Sequence, residues 1–485
     1  MRLGEAMPVA SRTAAEKATE LRRVAAAKAM LAAYEAELVA GFADDRPAGL
    51  DPTGPGARSR NWAPDTELPG VSEFFVDELA MVLNCSRRSA ADLAFFSWVL
   101  RENLPATRAA LADGALDPSR ARVLVDVLGH ASPALARAVE AELLPHAAEL
   151  PTGRLRARAV RALLARDSAA ADQRRKKAER AADVRAYPTT EGMGQLTADL
   201  PLPIAQACRD MADQLAHMAK ADGDPRPIGQ LRALALADLM LRPGDGARPP
   251  ITAHLNVTAP LAGLLPAGAV AAGGAPGAAR AAAEPAEVDG EPITLEHLRT
   301  LLEQLDAVCP GGLQAPTGGT LGIAITGLTG QLLATTTRAE LARILRRGCT
   351  THPDVACSCP LLQRPPRIDR YEPTPAQRRW VTTRDRGCRF PHCGNRAGWS
   401  DLDHVVAHAD GGETDCGNLC CLCRRHHRLK THSPGWTFVM GDDGVLRVTT
   451  PSGVTRTTRP PGVHRPRVAA VIAEPPRADD DPPPF

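Results

Sequence analysis

From residue 12 onward, apolar and charged positions recur at helical spacing. The segment 12–42, RTAAEKATELRRVAAAKAMLAAYEAELVAGF, sets Ala and Leu against Lys, Glu and Arg and predicts one long helix, which the Pro- and Gly-rich stretch 46–69 ends. Between Glu73 and about Val184 the same period is cut by NLPAT, GALDPSR, GHASPA and ELPTGR. Each sets Pro or Gly near a Ser, Thr, Asp or Asn able to cap the next helix. Short connections between such segments predict a helical bundle.

Further along, the pattern becomes mixed. VRAYPTTEGMGQLTADL places turn residues between two extended runs and predicts a hairpin, followed by helices near 202–221 and 227–242. ITAHLNVTA reads as a strand and the Ala/Gly/Pro stretch 264–290 as a flexible linker. ITLEHLRTLLEQLD then gives a helix, TLGIAITGLTGQLLATTT a strand hairpin and TRAELARILRRG another helix. GWTFVM is a short strand, and 441–485 is expected to be a mostly disordered tail. The expected organisation is a mainly α N-terminal domain with a few short strands over 12–350, and a small C-terminal domain over 374–440.

Composition fits this picture. The 485 residues suffice for two or three domains, and aromatics are only 3%, so the core must come mostly from Ala, Leu and Val, which suits close-packed helices and argues against an all-β fold. Net charge is close to neutral, but between Arg364 and Lys430 thirteen Lys/Arg face eight Asp/Glu, so basic character is local. The opening MRLGEAMPVASRTAAEK lacks an apolar secretory core and no stretch reads as a membrane span, so a cytoplasmic protein without a membrane partner is expected. Twelve cysteines in such a chain point to metal ligands or buried thiols, and eight lie between Cys357 and Cys423.

Two thiol-bearing stretches have ligand spacing. CRFPHC holds Cys388 and Cys393 across a Pro-containing turn, and CRRHH supplies Cys423 and His426. Two close pairs of S or N donors are what a tetrahedral structural zinc requires, and so polar a segment needs such a cross-link to fold. Cys420 with Cys423 is a second possible pair. Cys423 with His426 is favoured, because at the start of a helix positions i and i+3 share a face. Cys416 and Cys421 are read as structural. Cys349, His352, Cys357 and Cys359 lack two clean pairs and are read as a loop.

A zinc knuckle does not explain Asp403-His404. On a strand these neighbours point to opposite faces, so that one could bind a cation while the other takes a proton. ADGGETDCGN then reads as the loop of a hairpin, with Asn418 returning on the second strand. On the following helix His426 can serve the zinc while His427 faces Asp403.

The order D-H, G-G-x-T, N-L, L-C-x-x-H-H-x-x-K-T resembles the HNH endonucleases, whose site is a β-hairpin and helix (ββα-metal, His-Me finger) holding one divalent metal. The resemblance implies His404 as the general base activating water, Asn418 as the Asn that fixes the loop, and Asp403 with His427 as metal ligands. The related colicin-type nucleases carry a further His where this chain has Thr431, so only two protein ligands are implied, which suits magnesium or manganese with water and phosphate oxygens completing the shell. Members often carry Cys where this chain has Ser400, a non-ligand. Upstream, VDELAMVLNCSRRSAADLAFF, LPATRAALADGALDPSRARVLVDVL, PITLEHLRTLLEQLD and GLTGQLL resemble the helical N-terminal domain of unknown function carried by one bacterial HNH family.

The expected activity is metal-dependent hydrolysis of DNA phosphodiester bonds, with one metal and one neutral imidazole supplying charge stabilisation and a base. Arg389, Arg424, Arg425, Arg428 and Lys430, with Arg384 and Arg386, are expected to neutralise backbone phosphates. Two rivals stand beside it: a zinc-stabilised DNA-binding module without catalysis, and an RNA nuclease, since phosphate contacts do not read the sugar. His408 is read as surface decoration, RRKKAER near 174–180 as a basic helix face, and the absence of a Walker-type loop argues against ATP-driven work.

Overall fold

A computed structural model describes residues 9–51, 68–167, 193–241, 364–395, 400–441 and 443–460, most of 175–189, and short stretches between 257 and 340. Among the described residues the chain is mainly helical, with small antiparallel strand groups. It divides into two compact units, one of Met1–Gly49, Ala63–Phe75 and Arg88–Asp306, the other of Leu50–Trp62, Val76–Arg87 and Ala307–Phe485.

The first unit is the expected bundle. It contains α1 (Ala14–Asp44) and, beyond α2 (Phe75–Leu83), the helices α3 (Arg87–Glu102), α4 (Pro105–Ala112), α5 (Pro118–Leu128), α6 (Pro133–Ala147) and α7 (Thr152–Arg166). Pro opens α4, α5 and α6, as the turn signals predicted, and Asp117 caps α5 by accepting from the amides of Ser119 and Arg120. The first turn of α4 has no capping side chain of its own. The buried Glu140 of α6 replaces it, accepting from Thr107 N at 2.6 Å. The core joins Ala29, Ala33 and Ala36 of α1 to Leu100, Leu104, Leu111, Leu124, Leu128, Leu143 and Leu155, so small residues let the long helix approach closely. The hairpin β1 (Val184–Pro188) and β2 (Gly194–Ala198) and the helices α8 (Leu202–Ala221) and α9 (Ile228–Leu241) also follow the sequence pattern.

The second unit holds the strand pair β3 (Gly322–Thr326) and β4 (Leu332–Thr337), helix α10 (Pro375–Asp385), the pair β5 (Ser400–His404) and β6 (Leu419–Cys423), and helix α11 (Arg424–His432). A meander of β7 (Thr437–Met440), β8 (Leu446–Thr449) and β9 (Thr455–Thr458) completes it. Thr374 and Gln377 form a capping box at the start of α10. The apolar side of α10, Trp380 and Val381, packs with Leu332, Cys416, Leu419 and Cys421. A buried ionic network lies beside this core. Asp385 accepts from Arg384, Arg389 and the amide of Cys421, Arg384 reaches the carbonyls of Cys416 and Leu419, and Arg389 reaches those of Gly444 and Thr458.

Three expectations change. The stretch after residue 440 is not all tail, because β8, which buries Leu446 and Val448, and β9, which alternates exposed and half-buried positions, pair in register; 461–485 lie outside the described residues. The small C-terminal domain is larger than 374–440, taking in the 322–337 hairpin and the distant segment Val76–Arg87. Of the supposed linker 264–290 only Ala286–Val288 is described, as a strand. Cys349, His352, Cys357 and Cys359 also lie outside the described residues, as does most of the helix expected after Thr337. No described helix is long and apolar enough to cross a membrane.

Candidate functional site

The site grows from a strand, a tight loop, a second strand and a helix. In the β5–β6 register Asp403 faces Cys420 and His404 faces Leu419, and Val405 N continues the pairing by donating to Asn418 O at 2.7 Å. Gly411 has a left-handed backbone, φ 86°, and Gly412 has no room for a side chain, since a Cβ would lie 1.9 Å from Val406 O and 2.9 Å from Asn418 Nδ2. Asn418 fastens the loop on both sides. Its Oδ1 accepts from Val406 N, and its Nδ2 donates to Val406 O and Glu413 O.

Asp403 and His404 do part company as strand geometry requires. Asp403 is buried and faces α11, with His427 Nε2 3.4 Å from its Oδ1 and Lys430 Nζ 2.9 Å from its Oδ2. That Oδ2 makes no hydrogen bond despite its burial, the Lys430 contact being an ion pair out of hydrogen-bond alignment. Lys430 instead donates to His404 O at 2.6 Å. On its other side, His427 Nδ1 lies 3.0 Å from Asp401 Oδ2. Adjacent ligands of an octahedral cation at about 2.1 Å stand about 3 Å apart, so the Asp403–His427 separation suits a small hard cation, with Asp401 holding the other ring nitrogen.

His404 turns away from this cluster and is only 4% exposed. Its Nε2 lies 2.8 Å from Thr414 Oγ1, Tyr371 stacks on its ring at 5.2 Å between centroids, and His408 stands edge-on at 5.7 Å. Burial lowers the pKa of His404, His408 and Lys430 add to the effect, and Asp403 opposes it. The ring is therefore held in its neutral form, the form a base requires.

The four thiol and imidazole positions read as zinc ligands meet in a second cluster. The ligand atoms of Cys388, Cys393, Cys423 and His426 lie within 4.8 Å of one another. Cys388 Sγ and Cys423 Sγ are 3.3 and 3.2 Å from His426 Nδ1, and Cys393 Sγ is 4.0 Å from Cys423 Sγ. A tetrahedral zinc with bonds of ~2.3 Å to sulfur and ~2.1 Å to nitrogen has ligand edges of about 3.5–3.8 Å, so this set could hold a metal ion. Cys420 is fully buried outside the cluster, which decides between the two possible pairs. The Phe390 ring lies flat against His426, 3.9 Å between centroids. Burial and its two thiol neighbours push the Cys388 thiol up, whereas hydrogen bonds from Cys388 and Cys393 hold Cys423 down.

The basic residues are the main correction. Arg384, Arg389 and Arg428 are at most 4% exposed, and the first two are consumed by Asp385 and backbone carbonyls. Arg425 is half-buried on Asp77, and Lys430 is spent on Asp403 and His404 O. Of the seven cations expected on phosphates only Arg424 is exposed, near Asp401. Charge count alone could not separate a solvated helix face from internal counterions.

Four site residues escaped sequence reasoning. Asp401 was signalled by its i, i+2 spacing from Asp403. Thr414 stood in the quoted G-G-x-T without a role, and Tyr371 had no local signal. Asp77 of α2 accepts from Arg425 at 2.7 Å and lies 3.3 Å from His426 Nε2. Burial would raise its pKa, but Arg425 and His426 outweigh it and keep the carboxylate ionised.

Comparison with known proteins bears on the other end of the chain. The model of the family described as "Domain of unknown function (DUF222)" matches residues 18–285. The uncharacterized protein Rv3776 of Mycobacterium tuberculosis is 31% identical over 251 residues, 49% of this chain and 41% of that protein. Uncharacterized protein Rv2100 of the same species is 36% identical over 116 residues, 23% of this chain and 19% of that protein. The chain thus spans less than half the length of these curated relatives. No solved structure matches.

Proposed function

Because the chain belongs to the DUF222 family, whose description names no chemistry, we propose from the C-terminal site itself that the protein is a metal-dependent HNH endonuclease that hydrolyses phosphodiester bonds in DNA. The observation that carries this reading is the division of labour across β5. Asp403 and His427 converge on one side, a buried neutral His404 stands on the other, and Asn418 pins the loop between them.

In this reading β5, β6 and α11 are the ββα-metal element. Asp403 and His427 would hold a magnesium or manganese ion, and Cys388, Cys393, Cys423 and His426 a structural zinc. The divalent ion would supply positive charge at the scissile phosphate. His404 takes the proton from the attacking water, and the neutral ring is poised to do so near neutral pH. Asn418 keeps the 405–413 loop in place, so the imidazole does not drift from its line of attack. Asp401 holds His427 Nδ1 and leaves Nε2 to face Asp403.

The rival DNA-binding module without catalysis needs exposed cations, and of those expected all but Arg424 are buried or half-buried. A binder also has no use for a desolvated His404 beside a pinned loop. The test is nicking of supercoiled plasmid by the purified chain with magnesium or manganese, beside His404→Ala and beside a labelled RNA of matched length. Nicking lost in the variant with unchanged zinc content supports the nuclease. Equal inactivity with retained gel shift of DNA favours the module, and cleavage of the RNA alone moves the substrate class.

A further inference from the structure

Asp77 lies 349 residues before His426, yet its carboxylate reaches the far nitrogen of that ring, Nε2 to Oδ1 at 3.3 Å, while Nδ1 points at the sulfurs of Cys388 and Cys423. A ligating histidine needs its second ring N–H anchored, because the anchor fixes the tautomer and the ring plane and raises the basicity of the ligating nitrogen. The Asp77 side chain has no solvent exposure, so a bulk water cannot take its place. Arg425 grips both of its oxygens and Arg87 pairs with it, which keeps the carboxylate ionised and aimed.

The helix that carries Asp77 is itself fastened to the same unit. Glu78 Oε1 accepts from Ser452 N at 2.9 Å, and Arg456 donates to the carbonyls of Met81 and Val82 at the end of α2. These contacts bring Asp77 to the cluster from within the stretch matched to the family of unknown function, far from the segment that supplies the four ligands.

We propose that Asp77 is the positioning carboxylate of the Cys388/Cys393/Cys423/His426 metal centre, so that the centre is built from two distant segments and its loading fastens α2. This rests on the reading of those four residues as a metal centre. The metal supplies the link between them, and Asp77 sets the affinity without being a ligand.

The experiment uses the full chain and zinc as the probe, with affinity measured against a chromophoric chelator. Asp77→Asn is expected to weaken zinc binding by about 10–100-fold, and Arg425→Met, which loosens the carboxylate but leaves it against His426 and paired with Arg87, to weaken it less. Hydrogen exchange on the wild type keeps the proposal testable should Asp77→Asn fail to fold, since zinc is expected to slow exchange of the α2 amides as well as those around Cys388 and His426. Zinc affinity unchanged in a folded Asp77→Asn, or α2 exchange indifferent to zinc in a wild type that binds it, overturns the proposal and leaves the metal centre standing. A wild type that takes up no zinc overturns the metal-centre reading and this inference with it. Because neither readout is nicking, the nuclease reading can fail without touching either.

Discussion

Thr414 sets its hydroxyl 2.8 Å from Nε2 of His404 and is itself completely buried. That hydroxyl also donates to Tyr371 O at 3.4 Å, so its lone pairs are left to accept from Nε2–H. This donor order puts the proton of the neutral ring on Nε2 and leaves Nδ1 as the nitrogen free to accept one, the base of the proposed reaction. Thr414→Val, which keeps the shape and removes the acceptor, is expected to slow nicking by about 10–100-fold, while Thr414→Ser retains most activity. His404→Ala should lose the larger factor of about 10²–10⁴ associated with a general base. Single-turnover nicking rates check all three, and a Thr414→Val enzyme as fast as wild type would remove the hydroxyl from the mechanism.

Exposure separates two arginines that look alike in the sequence. The Arg424 side chain is 69% exposed, whereas that of Arg389 is 2% exposed and bound to Asp385. Arg424→Ala is expected to lower the slope of log affinity against log salt for DNA by about one. Arg389→Ala should leave that slope alone and lower the melting temperature instead. Binding isotherms at several salt concentrations, read beside thermal melts, distinguish the two.

Local chemistry was legible in the sequence, and distant pairing was not. Cys388 with Cys393 and Cys423 with His426 could be read as donors because each pair lies within one turn of chain. The separation of Asp403 from His404 followed from the two-residue period of a strand. Nothing in FVDELAMVL marks Asp77 as the neighbour of His426, since its position in the first turn of a helix reads as ordinary dipole compensation. Arg389 stands four residues after Asp385, a spacing the sequence offers but whose burial only tertiary packing reveals. LRVT and TRTT do alternate, yet Thr- and Arg-rich strands flanked by Pro and Gly look too polar to be a sheet until Val448 and Leu446 are seen buried.

Asp385 anchors the ionic network beneath the site. Its carboxylate is fully buried, and although burial would raise its pKa, Arg384 and Arg389 hold it below the usual carboxylate range. The sign follows from the folded value lying below the unfolded one, ~3.9. The group contributes stability above the unfolded value, and that contribution is lost as pH falls through the folded value. Asp385→Asn leaves two buried guanidinium groups without their charge partner and is expected to cost about 3–5 kcal/mol at neutral pH. Thermal melts at pH 7 and near pH 3 should show the gap between wild type and variant narrowing in acid, and an equal gap at both would place the stabilisation elsewhere.

Gly412 tests whether, in the proposed nuclease, the loop itself takes part in catalysis. A methyl group there would sit 1.9 Å from Val406 O and 2.9 Å from Asn418 Nδ2, so Gly412→Ala must push the 405–413 turn away from the amide that holds it. Overpacking of this kind costs about 1–3 kcal/mol. His404 lies two residues before Val406 and shares its strand end, so the displacement should also shift the imidazole relative to Asp403. Misplacement by about 1 Å can cost about 100-fold in rate. The Cys/His cluster lies at the other end of β6, so its capacity to take up a metal ion should be unchanged. The expected variant is folded, zinc-loaded and nearly inactive. Full nicking by a folded Gly412→Ala chain would show that the reaction does not depend on where Asn418 holds the loop.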